Sequence, residues 1–486
     1  MFLGIDVGTS AVKAVILSEG GEIVETATAP LRVSRPHPLW SQQDPDDWWT
    51  ATQSAVAGLS AVLRAKVIAI GLSGQMHGAT LLDAEDRPLR QAILWNDGRS
   101  TAECEDLQSR HPEFVSRGGN LVMPGFTAPK IEWVRRHEPS VFEAVKKVLL
   151  PKDYVRLCMT GEYASDMSDS AGTLWLDVAA RDWCDPLLDA CGLDRSHMPA
   201  LYEGPEITGH LRADVASDWG LAKVAVCAGG GDNAAGAVGV GVIAPGDALV
   251  SLGTSGVIFA ATDTYRSNPG SAVHAFCHAL PDRWHVMSVM LSAASCLDWA
   301  ARLTNCQDVA QLISLAEATD LTSRPPVFLP YLSGERTPHN NAHAMGALFG
   351  LTHETGPGDI GRAVMEGVAF GLADGLDAIR AAGVSPGALN VIGGGSRSSF
   401  WGSILASALN VHLIYRSGAD VGPALGAARL AAVSQNLAAD IVLHPPDISF
   451  EVAPDPRLTD TYQVGRQRFR DLYTSTLPSL EGTPNA

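Results

Sequence analysis

Residues 2–17 read FLGIDVGTSAVKAVIL: an apolar run, a Gly-Thr-Ser turn and a second apolar run, which predicts two strands joined by a tight hairpin. Asp6 interrupts the first run, and a carboxylate in an apolar strand is costly unless a cation or hydrogen-bond donors satisfy it. Residues 248–262 repeat the pattern as ALVSLGTSGVIFAAT. Two copies of one hairpin predict two related halves. The runs KVIAIGLSG, KVAVCAGGG and LNVIGGGS add strands with glycine turns, often followed by a helical pattern, which is the grammar of an α/β protein. The glycine-rich stretch near residues 240–247 is the expected boundary, dividing the chain into 1–242 and 243–486.

The 486 residues carry 35 Lys plus Arg against 53 Asp plus Glu, and the resulting net charge of −18 argues against a general nucleic-acid binder. The amino terminus has no basic region ahead of its apolar run, and no window reaches the ~20 continuous apolar residues of a membrane helix. A soluble, cytoplasmic protein is expected, because the eight cysteines form no C-x-x-C pair and several sit in apolar runs, as reduced buried thiols do. Its 48 glycines point to many close backbone approaches. All seven lysines precede residue 224, so an anion held by the second half must meet arginine, backbone N–H groups or helix amino termini. Asp44, followed by Pro45, Asp46 and Asp47, predicts a helix start, and the polar, proline-spotted chain after residue 452 predicts a frayed tail.

Several segments can carry chemistry. The Gly8-Thr9-Ser10 turn, with Lys13 close by, offers N–H groups and hydroxyls to phosphate oxygens, and Asp6 is placed to hold the accompanying magnesium. The competing reading is an ordinary hairpin whose aspartate caps its own turn. Residues 224–241, VAVCAGGGDNAAGAVGVG, run strand, three glycines, then Asp232 and Asn233. Asp232 is either a helix N-cap or a carboxylate that takes a proton from a substrate hydroxyl, at the carboxyl end of a strand where α/β folds place ligands. Residues 389–400, LNVIGGGSRSSF, superficially match a dinucleotide loop with Asp420 some twenty residues on, although an adenine or ribose resting on the glycines is the better reading. No Gly-Lys dipeptide occurs, which excludes a P-loop enzyme. Gly74-Gln75-Met76-His77-Gly78 and Trp95-Asn96-Asp97-Gly98-Arg99 suit a small polyhydroxylated ligand with a tryptophan over its apolar face. Each alone is more often a polar loop, and His77 alone more often a satisfied structural histidine than a catalyst; their coincidence in one half carries the signal. His274 and Cys277 read as core packing.

Taken together these residues resemble the FGGY carbohydrate kinases over nearly the whole chain, most closely the members that act on xylulose. GIDVGTSAVK is similar to the family's first phosphate loop and RPHPLWSQQDPDDWW, residues 35–49, to the stretch that follows it; GFTAPKIEWVRRH, residues 125–137, and GALFGLTHETGPGDIGRAVME, residues 346–366, fit the two family patterns. The resemblance implies two ribonuclease-H-like, actin-like ATPase domains with a cleft between them that takes ATP, magnesium and a sugar. It implies Asp232 as general base and Asp6 as the carboxylate near magnesium. Thr9, Ser10 and Lys13 would form the first phosphate loop, Gly253 and Thr254 the second, and Gly393, Gly394, Gly395 and Ser398 the adenosine edge. Met76 and His77 would meet the sugar, with Asn96, Asp97, Arg99 and Asn233 as further contacts. Lys13 stands where glycerol kinases usually carry arginine, which keeps the charge and loses the bidentate fork. The expected reaction is ATP-dependent phosphorylation of D-xylulose to D-xylulose 5-phosphate, with ribulose, deoxyxylulose or glycerol as alternative acceptors. The rivals are a non-enzymatic nucleotide switch and a dinucleotide-dependent oxidoreductase. The partners expected are a small sugar and a second copy of the chain, with neither nucleic acid nor membrane.

Overall fold

Phe2–Val7 and Ala11–Leu17 form the predicted hairpin, antiparallel, with Asp6 opposite Lys13 and Val7 opposite Val12. Phe2, Leu3, Ile5 and Val7 are fully buried, each burial contributing roughly 1.5–3 kcal/mol. The strand is apolar on both faces because both are covered. Leu3, Ile5 and Val7 join a core with Trp48 and Ala51 of the helix Pro45–Ala57, while Phe2 packs with Leu425 and Ala428 of the helix Gly422–Ser434. Gly4 and Gly71 face that second helix so closely that a Cβ on either would run into the backbone of Ala424 or Ala427. Asp44 caps the helix Pro45–Ala57 by accepting from the Asp46 N–H at 3.1 Å, as its sequence predicts.

The computed structural model describes residues 1–320, 325–417, 422–437 and 443–480. Its first large sheet runs, edge to edge, Ile207–His210, Ala225–Cys227, Ala69–Gly74, Phe2–Val7, Ala11–Leu17 and Ile23–Pro30. The second runs His274–Cys277, Trp284–Met290, Gly256–Thr262, Ala248–Leu252, Ala388–Ile392, His412–Arg416 and Ile448–Val452. Both contain one motif: a three-stranded antiparallel meander whose first strand pairs in parallel with a fourth, which pairs in parallel with a fifth. The internal echo in the sequence is therefore a repeat of topology. The fold class is α/β, in two sheet-containing halves of the ribonuclease-H-like, actin-like kind.

Strand ends place the chemistry. Val7 is in register with Gly74, and Gly74 with Gly231 of the short strand Gly230–Gly231, so Asp6–Gly8, Ser73–Gln75 and Gly231–Asp232 meet at the carboxyl ends of three parallel strands. The chain passes from the first sheet to the second across residues 240–247, and the helix Gly422–Ser434 then returns to pack on the first sheet and on the helix Asp232–Gly239. The frayed tail expected after residue 452 is corrected: Pro456–Leu480 is a helix, and Tyr462, Phe469 and Tyr473 bury one of its stripes against the second core. Among the described residues no helix is long and apolar enough to cross a membrane.

Candidate active site

Asp6 leaves its strand pointing at the turn. Burial pushes its carboxyl up to about 6, with the neighbouring Ser73 hydroxyl and the Lys13 ammonium drawing it part of the way back. Its Oδ1 is buried without a hydrogen-bond partner among the described residues. An orphaned carboxylate oxygen beside a turn rich in N–H groups fits a hard divalent cation or its water.

Asp232 opens the helix Asp232–Gly239, one residue beyond the predicted cap position, which Gly231 occupies. Its Oδ1 accepts from Asn233 N at 2.7 Å and Asn233 Nδ2 at 2.9 Å. Burial, and then the nearby Asp6 carboxylate, push the Asp232 carboxyl up to about 7, while the Asn233 donors oppose the rise. A buried, like-charged pair of this kind is how a fold tunes a base toward neutral pH. The strand before it is held from behind: Gly231 N donates to Ser168 Oγ at 3.1 Å, and the Ser168 N–H donates to Asp166 at 2.8 Å. Asp166 belongs to a fully buried cluster in which Lys152 Nζ lies 2.6 Å from Asp153, 2.8 Å from Asp166 and 3.1 Å from Asp169. Removing such a cation would leave buried carboxylates unpaired, at about 3–5 kcal/mol.

A cavity of about 230 Å³ lies in front of Asp232, lined from the first half by Met76, His77, Trp95 and Asn233 and from the second by His274 and Arg336, among others. Drug-sized ligands occupy about 300–1,000 Å³, so this volume suits a smaller molecule. His77 Nδ1 donates to Gly172 O at 2.7 Å, which leaves Nε2 as an acceptor. Burial, reinforced by Lys130 and Arg336, pushes this imidazole down to about 3, so it is neutral. Arg336 Nη1 donates to His274 Nε2 at 3.2 Å, and His274 Nδ1 in turn donates to Asn120 Oδ1 at 3.1 Å.

Two further cavities continue the line. One of about 390 Å³ shares Asp232, Asn233 and Ser251 with the first and reaches Gly393 and Gly394. The other, of about 670 Å³, shares Gly394 and extends past Gly253, Thr254, Gly395 and Ser398 to apolar walls at Leu297, Val309, Ile313 and Phe400, with Asp298 and Glu317 among them. Gly393 makes the turn at φ +89°, and a Cβ there would meet Leu252 O at 2.8 Å; nothing lies within 4 Å of a Cβ on Gly394. The second hairpin is clamped through its backbone, Thr254 O accepting from Ala293 N at 2.9 Å and from Ser295 Oγ at 2.8 Å.

The predicted residues are thus unevenly assembled. Met76, His77, Asp232 and Asn233 line the small cavity; Gly253, Thr254, Gly394, Gly395 and Ser398 line the large one, with Gly393 on the cavity between them. Asp6, Thr9, Ser10 and Lys13 sit on the first hairpin. Asn96, Asp97 and Arg99 are not among the cavity-lining residues, and their segment reaches the cavity through Trp95. Asn96 is exposed. Asp97 instead accepts from Arg99 Nε at 2.9 Å and Nη2 at 2.7 Å, and the guanidinium lies 3.6 Å over the Trp40 ring. Ser398 also caps the helix Ser399–Leu409 by accepting from Trp401 N at 3.2 Å. Asp420 lies outside the described residues. His274 is buried, yet it lines the cavity, which corrects its reading as core packing alone. Trp95 lines the cavity, as expected of the tryptophan beside the polar cluster, and Arg336, which the sequence did not single out, completes the wall.

Comparison with known proteins identifies relatives along the whole chain. The model of the N-terminal domain of the FGGY family of carbohydrate kinases matches residues 1–239, and that of its C-terminal domain residues 248–435. The chain is 57% identical over 483 residues to a xylulose kinase of Escherichia coli K12, covering 99% of this chain and 100% of that one. It is 55% identical over 484 residues to a xylulose kinase of Klebsiella pneumoniae, again covering 99% and 100%. A solved structure of a xyloylose kinase from Brucella ovis superposes with a TM-score of 0.94 at 49% identity, over 98% of this chain and 99% of that one. With both domain models matched in order and likeness sustained along the full length, this chain belongs to the FGGY family of carbohydrate kinases.

Proposed function

We propose that the protein transfers the γ-phosphoryl group of ATP to the terminal hydroxyl of D-xylulose, forming D-xylulose 5-phosphate and ADP. One observation carries this reading: three cavities joined by shared residues run from a sugar-sized chamber, past Asp232, to an apolar slot. Relatives alike over the full length are xylulose kinases, and that supports the choice of sugar.

In this reading the ketose lies against Met76 and Trp95, with His77 Nε2 accepting from a sugar hydroxyl and Asn233 and Arg336 donating to sugar oxygens. Asp232 orients the terminal hydroxyl and takes its proton as the new O–P bond forms and the bond to the β-phosphate oxygen breaks. General-base assistance of this kind supplies about 10²–10⁴ in rate. Thr9, Ser10 and Lys13 on one side, and Gly253 and Thr254 on the other, hold the phosphates; Gly393, Gly394, Gly395 and Ser398 carry the adenosine. Asp6 would hold magnesium, whose charge offsets that of the phosphates in a loose transition state. Asp97 and Arg99, paired with each other and tied to Ser41 and Gln42, brace the loop that carries Trp95, and Asn96 lies on that loop as a further sugar contact. The two halves divide near residue 242, and a homodimer in the cytoplasm belongs to the same reading.

A coupled ADP-release assay across pentuloses, pentitols and glycerol tests it. D-xylulose is expected to give the highest kcat/KM; a higher value for glycerol or a pentitol would reassign the substrate.

A further inference from the structure

A chain of hydrogen bonds ties the sugar-sized cavity to the first phosphate hairpin, and its polarity is fixed from one end. Gln43 Nε2 donates to two backbone carbonyls, Thr9 O at 2.8 Å and Arg32 O at 3.1 Å, so Gln43 Oε1 must be the acceptor. That oxygen takes Trp48 Nε1 at 2.9 Å and Gln75 Nε2 at 2.8 Å. Gln75 Oε1 is then an acceptor in its turn, and the Thr9 hydroxyl donates to it at 2.9 Å. Thr9 Oγ1 finally accepts from Trp95 Nε1 at 3.0 Å. Gln43, Gln75 and Trp48 are buried, so water does not compete at that end of the chain, whereas the Trp95–Thr9 bond at the other end is exposed and within reach of a ligand. Trp95 is a wall of the cavity, and Gln75 directly precedes Met76 and His77. The hydroxyl proton of Thr9 is therefore held by Gln75 in this structure, and a phosphate oxygen takes it only in competition with Gln75.

We propose that Gln43, Gln75 and Trp95 are positioning residues that couple the two substrates: sugar seated against Trp95 alters the hold of its indole N–H on Thr9, and phosphate competes with Gln75 for the same hydroxyl. The proposal rests on the sugar-kinase reading above. By linkage, each ligand then changes the affinity of the other by one common factor.

The test is calorimetric titration of a non-hydrolysable ATP analogue with and without D-xylulose, on the full chain. In the unaltered protein the sugar should change nucleotide affinity about 5-fold or more, within the range typical of coupled sites. Thr9→Val and Trp95→Phe should each bring that ratio to within about twofold of unity, and Thr9→Ser, which keeps the hydroxyl, should restore it. Thr254→Val weakens nucleotide without changing the ratio. Should Trp95→Phe lose sugar binding altogether, Thr9→Val decides alone, because Thr9 does not line the cavity. An unchanged ratio in Thr9→Val, or no coupling in the unaltered protein, overturns the proposal and leaves the functional reading standing. Absence of D-xylulose turnover in the unaltered protein overturns both.

Discussion

The two Gly-Thr-Ser hairpins share a backbone plan and differ in chemistry. Asp6 stands two residues before Gly8, and Ser251 two residues before Gly253. Across its hairpin Asp6 faces Lys13, whereas Ser251 faces Val257; on the parallel neighbour Asp6 meets Ser73, whereas Ser251 meets Ile392. Thr9 is bound by its side chain to Gln75 and Trp95, while the Thr254 hydroxyl makes no hydrogen bond among the described residues and its segment is held through its backbone. The repeat of topology is thus not a repeat of function. One half concentrates buried charge and the polar relay to the small cavity, and the other supplies a neutral turn and the larger, mostly apolar cavity beyond it.

Substitutions at matched positions separate the halves. Asp6→Asn should lower kcat on the order of 10², the scale of losing one preorganised charge contact, while Ser251→Ala should stay within severalfold of the unaltered protein. Steady-state kinetics at saturating magnesium checks this, and comparable losses at both positions would erase the distinction. The pH profile of the same variants sharpens it. Asp232 must be ionised to accept a proton, so the acid limb lies near its pKa of about 7; Asp6 helps raise that value, and Asp6→Asn should therefore move the limb to lower pH. Within the second half, Gly393→Ala forces a side chain into a backbone region nearly exclusive to glycine and should destabilise by about 1–3 kcal/mol. Gly394→Ala, whose Cβ meets open space, should leave the melting temperature nearly unchanged while weakening nucleotide binding. Thermal unfolding with nucleotide titration distinguishes the two.

The sequence carried the repeat because a turn flanked by apolar strands is a local signal, and it carried Asp6 and Asp232 because a carboxylate beside glycines in an apolar run violates the expected pattern. It could not carry Arg336 and His274, which reach the small cavity in front of Asp232 only when the second sheet closes on the first. The walls Leu297, Val309 and Ile313 are spaced like any buried helix face, so nothing local separates the wall of a cavity from core. Asp97 and Arg99 were singled out as ligands, although charges two residues apart satisfy each other at short range, and here they do. The last helix was missed although its signal is local: Tyr462, Phe469 and Tyr473, at spacings of seven and four, mark one helical face, and the polar residues and prolines around them outweighed it.

The decisive measurement is a rapid-quench single turnover of Asp232→Asn with ATP and D-xylulose, beside calorimetry of both ligands. Loss of the basic oxygen with the shape kept should leave both substrates bound and slow transfer by about 10²–10⁴. Transfer within tenfold of the unaltered protein would mean that another group takes the proton and that the seam between the halves is not where the chemistry happens.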